Sequence, residues 1–192
     1  MNILISAVGG QGALLASRIL GKLAQNINMD VKVSEVHGMS QRGGSVVTYV
    51  KFDKHVYSPL VEKGTVDIIM AFEMLEGARY VDWLKKDGTL IVSNQKIDPM
   101  PVITGAVEYP HNLSLKLAQL PINFYNVDAL ELAHKAGNAK VVNVVLIGVL
   151  AASTNIEKEK WYDAIKEAVP EKLIDMNLKA FELGYETNKF NS

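Results

Sequence analysis

The chain has 192 residues, no cysteine, and 20 Lys+Arg against 21 Asp+Glu, for a formal net charge of −1. At roughly 150 residues per domain this length fits a single domain spanning 1–192, and a near-neutral charge gives no reason to expect nucleic acid or an anionic membrane surface as partner. Without a thiol, the sequence excludes from its own residues a disulfide, a thiolate nucleophile, a cysteine zinc site and a cysteine-ligated iron–sulfur cluster.

Residues 2–8 (NILISAV) are apolar on both faces of an extended chain and predict a buried strand that stops at Gly9-Gly10. Residues 13–27 carry Leu14, Leu15, Ile19, Leu20, Leu23 and Ile27 near the i, i+4 and i+8 rows and predict a helix. Residues 29–36 bring Val31, Val33 and Val36 nearly into phase and predict a second strand. The first 36 residues thus form a β-turn-α-β unit with its two strands parallel. Residues 37–44 (HGMSQRGG) are a loop, and 45–52 (SVVTYVKF) a strand returning antiparallel beside the previous one.

Residues 66–72 and 89–93 predict two more strands, with a helix near 74–84 between them and a Lys86-Asp87-Gly88 turn before the second. A proline-marked loop at 98–101 precedes a weaker strand at 103–107, and a last strand is expected at 123–127. Helices follow at 129–136, 141–153, 157–169 and 171–183. Thr154 or Asn155 is the expected N-cap of the third of these, and Gly184 the residue that ends the fourth. The expected fold is α/β: a mostly parallel Rossmann-like sheet of five to seven strands, with flanking helices and a helical C-terminal third. The first ten residues have no basic n-region, which argues against a signal peptide. The longest apolar stretch, 141–152, is interrupted by Asn143 and falls short of the roughly 20 residues a bilayer span needs. A cytoplasmic location is expected.

Gly9-Gly10-Gln11-Gly12 lies between the first strand and the first helix. In open parallel sheets this position binds ligands, and the helix N-terminus favours an anion. Glu35, 23 residues past Gly12, stands roughly where a dinucleotide fold places its ribose-binding acid. The fingerprint is incomplete, because Leu15 occupies the third glycine position. An anion site and a plain tight turn both fit these residues.

The second glycine loop is richer. Glu35, His37, Gly38, Met39, Ser40, Gln41, Arg42, Gly43 and Gly44 bring a carboxylate, an imidazole, a hydroxyl, an amide and a guanidinium together. Arg42 between glycines suits bidentate capture of a carboxylate or phosphate, and Ser40 and Gln41 add neutral hydrogen bonds. His37 is more often a structural imidazole than a base. His55, His111 and His134 are scattered, without carboxylates at metal spacing. Glu73 and Glu76 fit a solvated helix start, where acids are favoured. No self-contained catalytic set is apparent.

Together these residues resemble a known family. Gly9-Gly10-Gln11-Gly12 followed by Glu35-Val36-His37-Gly38-Met39-Ser40-Gln41-Arg42-Gly43-Gly44 is similar to the gamma-type domain of the 2-oxoacid:ferredoxin oxidoreductases. The loop looks like the indolepyruvate branch; related domains usually carry a Pro-Glu-Met-Arg-Gly-Gly version. Val56-Tyr57-Ser58-Pro59-Leu60, Ala71-Phe72-Glu73, Asn143-Val144-Val145 and Ala180-Phe181-Glu182-Leu183-Gly184 extend the likeness over nearly the full length. The resemblance implies an accessory subunit in the CoA-dependent oxidative decarboxylation of aryl 2-oxoacids, with electrons passed to ferredoxin. Thiamine diphosphate and [4Fe-4S] clusters would sit on a larger partner subunit, with none bound by this chain. Arg42, Ser40 and Gln41 would contact substrate, coenzyme A or that partner. A free-standing dinucleotide-binding protein and a noncatalytic interaction module are the alternatives.

Overall fold

The computed structural model describes residues 1–9, 11–37 and 44–187. Its sheet has six strands in the order β2-β3-β1-β4-β5-β6. These are β1 (Asn2–Val8), β2 (Asp30–His37), β3 (Ser45–Asp53), β4 (Val66–Ala71), β5 (Leu84–Ser93) and β6 (Asn123–Val127). β1 is central because both its faces are apolar: Ile3, Ile5 and Ala7 enter the core on one side and Leu4 on the other. β4, β5 and β6 run parallel to β1 in succession. β3 is antiparallel to both β1 and β2, so β1 and β2 are parallel, as expected, but not adjacent.

Helix α1 (Ala13–Asn26) covers one face together with α5 (Ala129–Ala136), α6 (Val142–Ala152), α7 (Lys158–Ala168) and α8 (Ile174–Thr187). On the opposite face lie α2 (Met74–Tyr80) and α4 (Leu113–Ala118), with Met74 and Leu117 against Leu4, Ile69 and Leu90. α6 is buried all round, from Val142 to Ala151, as its uniformly apolar sequence requires. Among the described residues no helix is long and apolar enough to cross a membrane.

Four local expectations are corrected. Residues 103–107 are not a strand. Pro101 sits in the first turn of a short helix, α3 (Met100–Ile103), where its fixed φ is already helical. Lys86-Asp87-Gly88 lies inside β5: Asp87 takes φ 58° and the register slips between Val66 and Ile68, so the turn residues make a bulge. α7 is preceded by Glu157, whereas Thr154 bonds back to the Ala151 carbonyl at 2.9 Å. Gly184 does not end its helix; it lies within α8, where a Cβ would come 2.0 Å from the Val145 carbonyl oxygen of α6. Gly148 mirrors it, its Cβ position 2.1 Å from the Phe181 carbonyl oxygen. The two glycines let α6 and α8 touch backbone to backbone.

Candidate functional site

The antiparallel course of β3 brings the two glycine segments together. Val8 stands opposite Ser45 in register, and the Gly9 amide donates to the Gly44 carbonyl at 3.3 Å. β4 and β5, parallel to β1, end at the same edge, and β2 closes there with His37. Gly10, Gly38, Met39, Ser40, Gln41, Arg42, Gly43 and the side chain of His37 lie outside the described residues.

α1 leaves β1 on one face and α2 leaves β4 on the other, so the two strands flank a topological switch point, where open α/β sheets bind ligands. Gln11 spans that crevice. Its Oε1 accepts the Val8 amide at 2.8 Å, and its Nε2 donates to the Phe72 carbonyl at 3.1 Å and to Gln95 Oε1 at 3.2 Å. One side chain thus ties together the ends of β1, β4 and β5.

Gly12 adopts a left-handed φ of 89°. A Cβ there would lie 2.7 Å from Asn143 Nδ2, which donates to the Gly12 carbonyl at 3.1 Å. The space that glycine opens is therefore taken by the protein's own amide, projected from the start of α6. Beside it is a cavity of about 490 Å³ lined by Gln11, Leu15, Gln95, Lys140 and Asn143. A helix N-terminus and a lysine face the same hollow, an arrangement that favours negative charge.

The dinucleotide alternative loses its geometric support. β3 separates β2 from β1, placing Glu35 two strand spacings, roughly 10 Å, from the strand that feeds the glycine turn. Ser17 of α1 points its Oγ at Glu35, 3.5 Å away.

Glu73 and Glu76 depart furthest from expectation. Neither is solvated: they are 1% and 5% exposed. Glu73 caps α2, its Oε2 accepting the Glu76 amide at 2.9 Å. Its Oε1 accepts the Ile97 amide at 3.2 Å and the Tyr109 hydroxyl at 2.5 Å. Glu76 accepts the Ser45 hydroxyl and pairs with Arg79 Nε at 3.2 Å. Burial pushes the Glu76 carboxyl above its ordinary range, against the pull of Ser45 and Arg79. Tyr109 is raised by burial first and by its bond to Glu73 second. Tyr109 also lines, with Lys96, Val102, Val107 and Leu113, a larger cavity of about 830 Å³ at the ends of β4 and β5.

Sequence reasoning read this acid pair as solvated, which the structure overturns, and gave Tyr109 and the Asn143 side chain no role. The available signal was Glu73 directly after the apolar run 68–72 (IIMAF), followed by Glu three positions on, a capping spacing. Val56-Tyr57-Ser58-Pro59-Leu60 splits in two: Val56 is buried, while Tyr57 and Leu60 stand out in solvent. Among the described residues no three His, Asp or Glu side chains cluster as a metal site.

A mixed six-stranded sheet with helices on both faces makes this an α/β protein with a ligand-competent switch point. The keto/oxoacid ferredoxin oxidoreductase gamma subunit from Geobacter sulfurreducens shares this fold, with a TM-score of 0.73, 24% identity, and 98% of each chain covered. The model of the pyruvate ferredoxin/flavodoxin oxidoreductase family matches residues 2–187, and the chain belongs to that family. It is 42% identical over 193 aligned residues to the indolepyruvate oxidoreductase subunit IorB of Thermococcus kodakarensis, covering 98% of this chain and 96% of that protein. The corresponding subunit of Archaeoglobus fulgidus is 37% identical over 189 residues, covering 96% and 94%.

Proposed function

We propose that this chain is the cysteine-free subunit of an indolepyruvate:ferredoxin oxidoreductase, acting on aryl 2-oxoacids, and that residues 1–192 form one gamma-type domain. The observation that carries this reading is the full-length likeness to indolepyruvate oxidoreductase subunits. The junction of both glycine loops at one sheet edge supports it. The reaction converts an aryl 2-oxoacid and coenzyme A to the acyl-CoA thioester, CO₂ and a proton, with two electrons passed to ferredoxin. Iron–sulfur clusters need thiolate ligands, which this sequence lacks, so they fall to a larger partner subunit in the cytoplasm. Thiamine diphosphate, assigned to the same partner, supplies the carbanion chemistry of decarboxylation.

This chain's contribution is shape and charge at the site mouth. Gln11 and Asn143 fix the Gly9 to Gly12 turn, and the Gly9–Gly44 bond holds the second loop's root against it. Arg42 supplies a guanidinium for a carboxylate or phosphate of substrate or coenzyme A, or for an acid of the partner, with Ser40 and Gln41 beside it.

The test is anaerobic co-purification with the partner, followed by a coupled assay of ferredoxin reduction by indolepyruvate and coenzyme A. The complex is expected to turn over aryl 2-oxoacids and this chain alone to be inactive. Full oxidation by the isolated chain, or a complex that accepts only aliphatic 2-oxoacids, refutes the proposal.

A further inference from the structure

The candidate site includes a buried acid to which the proposed reaction assigns no part. Glu76 is almost fully buried, yet all its partners except Arg79 are neutral or negative. Retaining a carboxylate in such a place opposes folding unless it fixes something, and its Ser45 contact shows what. Ser45 is the first residue of β3 and follows directly on Gly44, which receives the Gly9 amide. The Glu76 carboxylate therefore clamps the root of the second glycine loop to α2, on the far face of the sheet from α1.

The clamp continues on the other side. The Glu76 amide is held by Glu73, whose remaining oxygen takes Ile97 and Tyr109. Two buried acids three residues apart thus join the loop root to the 94–114 segment that walls the larger cavity. Helix α2 is seven residues long, and packing alone orients so short a helix poorly.

We propose that Glu76 is a positioning residue: through Ser45 it holds the root of the Arg42 loop, and through Glu73 it keeps that root in fixed relation to Tyr109. It touches no substrate itself. This rests on the function proposed above, so one readout depends on turnover and another does not.

In the assembled complex, Glu76→Gln is expected to lower kcat at least tenfold while KM for indolepyruvate changes less than threefold. Ser45→Ala gives the same loss, the double variant loses no more than either single one, and Ser45→Thr restores the rate. In the full chain, hydrogen exchange at the amides of residues 44–46 rises at least tenfold in Glu76→Gln, with β4 unchanged. Wild-type kcat in Glu76→Gln, additive losses with Ser45→Ala, or faster exchange spread evenly over the sheet overturns the proposal. Should Glu76→Gln not fold, Ser45→Ala against Ser45→Thr decides on the same two readouts. A wild-type complex inert towards every 2-oxoacid refutes the proposed function, and the exchange measurement then decides the clamp alone.

Discussion

Replacing Gly148 by alanine tests the backbone-to-backbone seam between α6 and α8. The new Cβ would fall 2.1 Å from the Phe181 carbonyl oxygen and 2.8 Å from the Tyr185 nitrogen. A carbon–oxygen contact settles near 3.3 Å, so α6 and α8 must part by roughly 1.2 Å. Alanine itself is the better helix former by about 1 kcal/mol. Against that, forced overpacking costs about 1–3 kcal/mol, and opening the seam loosens side chains such as Val145 and Phe181, worth roughly 1.5–3 kcal/mol each when fully buried. The net expectation is a loss of about 2–4 kcal/mol, or a Tm lower by about 5–15 °C for a chain of this size. Thermal and urea unfolding followed by circular dichroism measure it. Gly21→Ala is the control: it is also helical, but nothing lies within 4 Å of its Cβ position, so a gain of up to about 1 kcal/mol is expected there. Gly148→Ala with an unchanged or higher Tm refutes the reasoning; so does an equal effect of the same sign at Gly21.

Gln11→Ala removes the bridge between three strand ends and orphans the Val8 amide; urea unfolding should show a loss of about 1–3 kcal/mol. Tyr57→Ser, at a side chain 95% exposed, should leave stability within about 0.5 kcal/mol, and any fall in partner affinity by calorimetry would mark the loop as a contact. The raised Glu76 carboxyl means the folded chain holds that proton more tightly than the unfolded chain. Its contribution to stability is therefore full below the ordinary carboxylate range and is lost as pH rises through the raised value, with Glu73 adding to the rise and Arg79 and Ser45 opposing it. Urea titrations of wild type and Glu76→Gln at a series of pH values should show their stability difference moving in favour of the glutamine as pH rises; a flat difference would count against a buried, raised acid.

Much of the scaffold was legible because it follows from local chemistry. Apolar and β-rich runs located all six strands and added one, at 103–107, that the structure lacks, while Ala129, Val142 and Trp161 mark helices whose apolar faces had to be buried. What failed depended on neighbours remote in sequence. Gly184 has the chemistry of a helix end, and only Val145 across the seam explains why the helix continues through it. Glu73 and Glu76 look like a wet first turn until Ser45 and Tyr109 arrive from other strands and loops. Asp87-Gly88 has turn chemistry that β5 absorbs as a bulge. At the site itself, the residue types in both loops were visible, but their junction was not, since the Gly9–Gly44 contact exists only because β3 inserts between β1 and β2.

That insertion has a bearing on how such proteins diversify. β2 and β3 are neighbours in both sequence and space, so they form a hairpin that docks on β1 as a unit through β3. Residues 38–43 connect its two strands in sequence, and closing such a connection is insensitive to its length: doubling it costs only about 0.6 kcal/mol. Substitutions in this connection are thus expected to leave the sheet undisturbed. Ser45 and Gly44 are where that freedom ends, because there the chain rejoins a fixed register with Val8 and Gly9.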